Sequence, residues 1–118
     1  MHQNFPKEDI EKDLALAYFF NAKGEFGKSR VCARKATGKA ARFWLRTNYT
    51  EISFSIDPFQ ALKLIQEKFD QNDPISIHIR NLLLKVDKEF NLPENIDLLK
   101  SSEFIITNLC EGDYKLNE

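Results

Sequence analysis

Glycine and proline are scarce, with four of each. That scarcity excludes an all-β fold, which needs turn residues every ten positions or so. No apolar run approaches the ~20 residues that cross a bilayer, so no membrane span is expected. Cysteine is limited to Cys32 and Cys110, both inside apolar helical patterns; the reading is buried thiols rather than a disulfide framework. Neither sign of charge is in excess, since the net charge is −1, and nothing global marks a binder of nucleic acid or membrane. His78 is the one histidine outside the extreme N-terminus. It has no Cys or carboxylate at ligand spacing, so neither a metal site nor a cofactor is expected. The N-terminal stretch MHQNFPKEDIEKD is polar and acidic, the opposite of a signal peptide, and the expected location is the cytoplasm.

What is present is core material in helical order. A chain of 118 residues with 42% apolar and 30% charged residues is an ordinary globular mixture, long enough for one domain over 1–118 and too short for two. The first helix is expected from Pro6 to about Ala22, with Glu8, Asp9 and Glu11 at the dipole's positive end and Ile10, Leu14, Ala17 and Tyr18 forming an apolar face. Gly24 and Gly27 then mark a turn. A long helix follows from about Glu25 to Thr47, with Ala33, Ala36, Ala40 and Ala41 small enough to let a neighbour approach. The stretch 48–56 reads as a packed loop despite its alternating Ile52, Phe54 and Ile56. Asp57-Pro58 and Asp73-Pro74 each put a capping carboxylate before a proline at the first helical position. Apolar stripes follow both: Phe59, Leu62, Ile65 and Phe69 after the first, Ile75, Ile79, Leu82, Leu83, Val86 and Phe90 after the second. A last helix after Pro93 presents Leu98, Leu99, Ile105, Ile106 and Leu109 and is expected to end at Gly112. The predicted fold class is all-α: an up-and-down antiparallel bundle of four to five helices.

Three groups of residues invite a functional reading. Ala22-Lys23-Gly24-Glu25-Phe26-Gly27-Lys28-Ser29 matches a relaxed phosphate loop, but that loop needs a preceding strand, and the residues before it have helical periodicity and acidic capping. The segment is read as a glycine turn between helices. Second, seven basic residues and no acidic one lie between Lys28 and Arg46. At ~100° per residue, Lys28, Lys35, Lys39, Arg42 and Arg46 fall within about sixty degrees, a stripe able to track phosphates or to serve as a solvated face covered by acids such as Glu8, Asp9, Glu67 or Asp70. Third, Arg30 and Arg34 point to the other side of that helix. Guanidinium groups partly buried there require carboxylate or carbonyl partners, with Glu103 or Asp13 as candidates, or else hold an anion. His78 is placed on a polar side with Asn81, Lys85 and Lys88. No serine sits in a nucleophile elbow and no paired carboxylates stand out, so no catalytic residue is assigned.

The run from Gly24 to Ala40, GEFGKSRVCARKATGKA, resembles the second helix of HEPN-like proteins, in which a glycine turn leads into a small-residue helix. Ser76-Ile77-His78-Ile79-Arg80-Asn81-Leu82-Leu83 is similar to that family's (S/T)-x-H-x-x-x-L-L helix start, and Phe90-Asn91-Leu92-Pro93-Glu94 with its final helix follows in the same order. The resemblance covers most of the chain. It implies a helical bundle, pairing into a homodimer, and a setting of toxin–antitoxin or defence systems, in which many HEPN proteins are ribonucleases using an Arg-x4–6-His motif. The chain departs from that motif: Gln71, Asn72 and Asp73 occupy the arginine's positions, and Gly112-Asp113-Tyr114 stands where the family has Arg-Tyr. The expectation is therefore a non-catalytic HEPN-like interaction module, a self-pairing bundle associated with a nucleotide or nucleic acid through Arg30, Arg34 and His78 or through the stripe. The alternative is a ribonuclease or nucleotidyl-transfer-associated enzyme with a degenerate site.

Overall fold

A computed structural model of the chain describes residues 6–49, 56–84 and 97–116, with side chains placed as far as Cys110 in the last segment. Five α-helices occupy them: α1 (Lys7–Ala22), α2 (Phe26–Asn48), α3 (Pro58–Lys68), α4 (Pro74–Leu83) and α5 (Leu98–Leu116). No strand occurs among the described residues. The fold is an all-α bundle.

The helix boundaries follow local chemistry. At α3 the Asp57 carboxylate accepts from the Phe59 and Gln60 amides at 3.0 and 3.3 Å. At α4 Asp73 accepts from Ile75 at 2.9 Å. Asp97 caps α5 in the same way, accepting from Leu99 and Lys100 at 3.1 Å each. Such caps each contribute about 1 kcal/mol by satisfying otherwise orphaned amides. Gly24 takes φ +79 in the turn after α1, a conformation that glycine adopts without penalty; Gly27 lies already inside α2. The expected stop at Gly112 is wrong, because α5 continues to Leu116. A glycine in a helix costs only about 1 kcal/mol relative to Ala, so it is a weak terminator unless the chain must turn there. The expected positions Ile52, Phe54, Val86, Phe90 and Leu92-Pro93-Glu94 lie outside the described residues.

α2 is the central helix, with α1, α3 and α5 packed on it and α4 set against α5 and the edge of α3. Ala33, Ala36, Ala40 and Ala41 are fully buried, so neighbouring backbones come close on that side. Gly38 marks the tightest approach: a Cβ there would stand 2.5 Å from both Cβ and O of Pro58. That contact places the first turn of α3 against the middle of α2. Leu45, Leu62, Ile65, Ile79, Leu82, Ile105 and Leu109 fill the core between the helices. Buried hydroxyls tie the seams, Ser29 donating to the Ala17 carbonyl at 2.7 Å and Thr37 to that of Ala33 at 2.8 Å. Cys110 is buried and Cys32 half-buried. Burial, then the charge of Asp13, pushes the Cys32 thiol's pKa up, which keeps it protonated. No helix among the described residues is long and apolar enough to cross a membrane.

Candidate functional site

The phosphate-loop lookalike is a turn between two helices. No strand precedes it, its serine hydroxyl is buried on the Ala17 carbonyl, and Lys28 pairs with Glu25 at 3.0 Å on the surface.

Lys39 and Arg42 of the basic stripe are engaged in holding the bundle. Lys39 Nζ stands 2.7 Å from Asp13 Oδ2, with side-chain exposures of 20% and 9%. Arg42 Nη1 donates to the Ile56 carbonyl at 3.2 Å, which fixes the chain entering α3. Arg46 is half-buried, and desolvation, then the charge of Arg42, lowers its pKa. The acids observed beside the stripe are Asp13 and Glu25. Lys35 remains exposed.

Arg34 behaves differently. Its Nε–H donates to the Leu82 carbonyl and its Nη2 to that of Leu84 at 2.8 Å, so the side chain reaches from α2 to the C-terminal end of α4. Carbonyls at a helix C-terminus carry partial negative charge and suit a cation. Neither of the carboxylates expected for it is used here: Asp13 holds Lys39, and Glu103 accepts a hydrogen bond from Tyr18, whose pKa is pushed up to about 12 by that bond. Tyr18 is accordingly exposed rather than part of the apolar face of α1. Burial first, and the neighbouring Arg30 second, lowers the Arg34 pKa. The guanidinium remains charged, with Arg30 as a like-charged neighbour.

Arg34 lines a cleft of about 370 Å³ between α2 and the start of α3. Val31, Lys35, Asp57, Pro58 and Phe59 complete its walls. The Arg34 guanidinium lies 5.8 Å from the Phe59 ring centroid, and Lys63 Nζ lies 5.0 Å from it. The structure thus joins Arg34 with Lys35, residues that the sequence assigned to separate faces. Arg30 is an electrostatic neighbour of Arg34 without lining the cleft. His78 faces α5, not the polar surface expected for it: its Nδ1 is 2.9 Å from Ser101 Oγ, and its ring packs on Phe104 at 4.4 Å. Asp57 and Phe59 were legible as a cap and a stripe residue, but their place in the cleft depends on the Gly38–Pro58 contact, which joins segments twenty residues apart in sequence.

The cleft offers fixed positive charge beside an aromatic ring. Of the five N–H donors of Arg34, Nε and one on Nη2 are used by carbonyls. The two donors on Nη1 and the other on Nη2 remain for an oxygen acceptor such as phosphate or carboxylate. Among the described residues no group of three His, Cys, Asp or Glu side chains is assembled as a metal ion would require. No protein-family model, curated protein or solved structure matches this chain.

Proposed function

We propose that the chain is a non-catalytic, HEPN-like binding module that pairs with a second copy and takes a nucleotide or nucleic-acid phosphate in the α2–α3 cleft. The observation that carries this reading is the state of Arg34. Its position is fixed by uncharged carbonyls, so its charge stays available beside exposed Lys35. Arg30 adds to the same positive field, and Phe59 supplies an aromatic surface that tolerates any base. The one carboxylate among the described residues that line the cleft, Asp57, is shared with two backbone amides, which softens its repulsion of an anion.

The ribonuclease alternative has less support. A catalytic His78 would have to reach a phosphate, whereas its ring is held between Ser101 and Phe104.

The test is a titration of the protein with a fluorescent nucleoside triphosphate and a 5′-labelled oligonucleotide at low and moderate salt. Binding should weaken steeply with salt, and Lys35→Glu should lower affinity about tenfold, as expected for loss of a phosphate-contacting cation. Binding by Lys35→Glu equal to wild type, or no binding of either ligand at low salt, would refute the reading.

A further inference from the structure

The C-terminal half of α1 exposes large apolar side chains where a surface helix is ordinarily polar. Ile10, Asp13 and Ala17 turn inward against α2. On the flank of α1 beside them Leu16 is 37% exposed and Phe20 half-buried, and on the far side Phe19 is 49% exposed. The chain then folds back, the Glu25 amide donating to the Phe20 carbonyl at 2.9 Å, and Phe26 follows at 59% exposure. A cluster of exposed aromatics is a recurrent mark of an interface. Lys23 lies 4.7 Å from the Phe19 ring centroid and Lys28 5.5 Å from that of Phe20, so flexible lysine chains lie over the rings from one edge.

The charges along this face identify the occupant. At ~100° per residue, Asp9, Lys12, Leu16, Phe20 and Lys23 fall within about eighty degrees of one another. Asp9 and Lys23 are each seven residues from Leu16, which is ~10 Å on either side of it at 1.5 Å per residue. A second α1 laid antiparallel, with the two-fold axis at Leu16, therefore sets Asp9 against the partner's Lys23 at both ends. It also sets Leu16 on the partner's Leu16 and Lys12 beside the partner's Phe20. A parallel arrangement would set like charges together, and an unrelated partner would have no need of this symmetry. Self-complementarity about one point is what a two-fold interface requires, and antiparallel helix dipoles attract.

We infer that the outward face of α1 is the seam between two copies of this chain, antiparallel and centred on Leu16. The inference rests on the chain pairing with itself and names the surface by which it does so. The two charge pairs set register and orientation; the apolar side chains between them supply the driving force.

Sedimentation equilibrium on the full chain over a wide concentration range tests it, with circular dichroism to confirm folding. The wild type should dimerise, and Leu16→Glu and Phe19→Glu should be folded monomers, because both side chains lie outside the core. Asp9→Lys and Lys23→Glu should each raise the dimer dissociation constant about tenfold, and the double variant should restore it. Lys35→Glu, in the cleft, should dimerise normally. A wild type that is monomeric throughout overturns both pairing and seam. A dimer indifferent to Leu16→Glu and Phe19→Glu overturns the seam while leaving pairing intact. Single charge variants that weaken the dimer without rescue in the double variant overturn the antiparallel register.

Discussion

Lys39 and Arg34 sit five residues apart on the same helix, and each reaches off α2 to tie down a neighbour. Lys39 meets a carboxylate, Asp13 at 2.7 Å, and the two charges cancel in a nearly dry setting. Arg34 meets two carbonyls at the end of α4, which hold it in place without neutralising it. Two cations of similar reach thus do opposite work. A charge paired with a charge belongs to the architecture, whereas a charge fixed by dipoles keeps its field for something else.

The largest effect should come from the neutralised pair. Asp13→Asn leaves Lys39 half-buried with no counter-charge and should cost about 3 kcal/mol in urea denaturation, near the lower bound for breaking a buried pair because Lys39 keeps some exposure. Replacing both partners, Asp13→Leu with Lys39→Met, should recover most of that loss, since two apolar groups leave no orphaned charge. A loss below 1 kcal/mol for Asp13→Asn would mean that water reaches the pair and that the contrast with Arg34 is empty. Arg34→Ala should cost less, about 2 kcal/mol, by leaving the Leu82 and Leu84 carbonyls without their charged donor. It should also abolish anion binding, which Asp13→Asn at an equally folded temperature should not.

The parts of this contrast that were readable in the sequence are those written within a few residues. Asp57-Pro58 and Asp73-Pro74 each contain a cap and a preset φ in adjacent positions, so both helix starts stand where expected. The run of alanines in α2 likewise announces close packing through residue size alone. Arg34 was legible as a cation needing partners, but backbone carbonyls leave no trace in a sequence, and the carboxylates within apparent reach were committed elsewhere. Asp13 has the spacing of the buried face of α1, and only the crossing of α1 and α2 decides that Lys39 answers it. Periodicity also placed Phe59 in the core, whereas the first turn of α3 sits at the core's edge and leaves that ring 38% exposed in the cleft. The arrangement of the cleft is a product of chain crossing, and no local pattern encodes it.

The two acid–base neighbours in the cleft sharpen the contrast with changes of opposite sign. Lys35→Glu should leave stability within about 0.5 kcal/mol, as for an exposed side chain with no buried role, while lowering anion affinity. Asp57→Asn keeps a good cap for α3 and removes the cleft's negative charge, so its melting temperature should barely move and its anion affinity should rise severalfold. Equal affinities in wild type and Asp57→Asn would indicate that the anion does not sit among these walls.

The smallest effect belongs to a contact that copies the Lys39–Asp13 geometry at the surface. Tyr18 donates its hydroxyl to the Glu103 carboxylate and links α1 to α5, but it is 42% exposed. Water competes there, so Tyr18→Phe should cost about 0.5 kcal/mol, the low end for a hydrogen bond to a charged group. The pH dependence separates this from a packing effect. The hydrogen bond, with burial behind it, raises the phenol from 10.0 to about 12 in the folded state. A folded-state pKa above the unfolded one means that the contribution is fully present below pH 10 and is lost as pH rises toward 12. The stability gap between wild type and Tyr18→Phe should therefore be constant from neutral pH to about 10 and close above it. Other groups that titrate in the same range affect both proteins alike and cancel in the difference. A gap that persists unchanged above pH 12 would assign the cost to packing of the ring, and the surface contact would then differ from the buried one in kind rather than in degree.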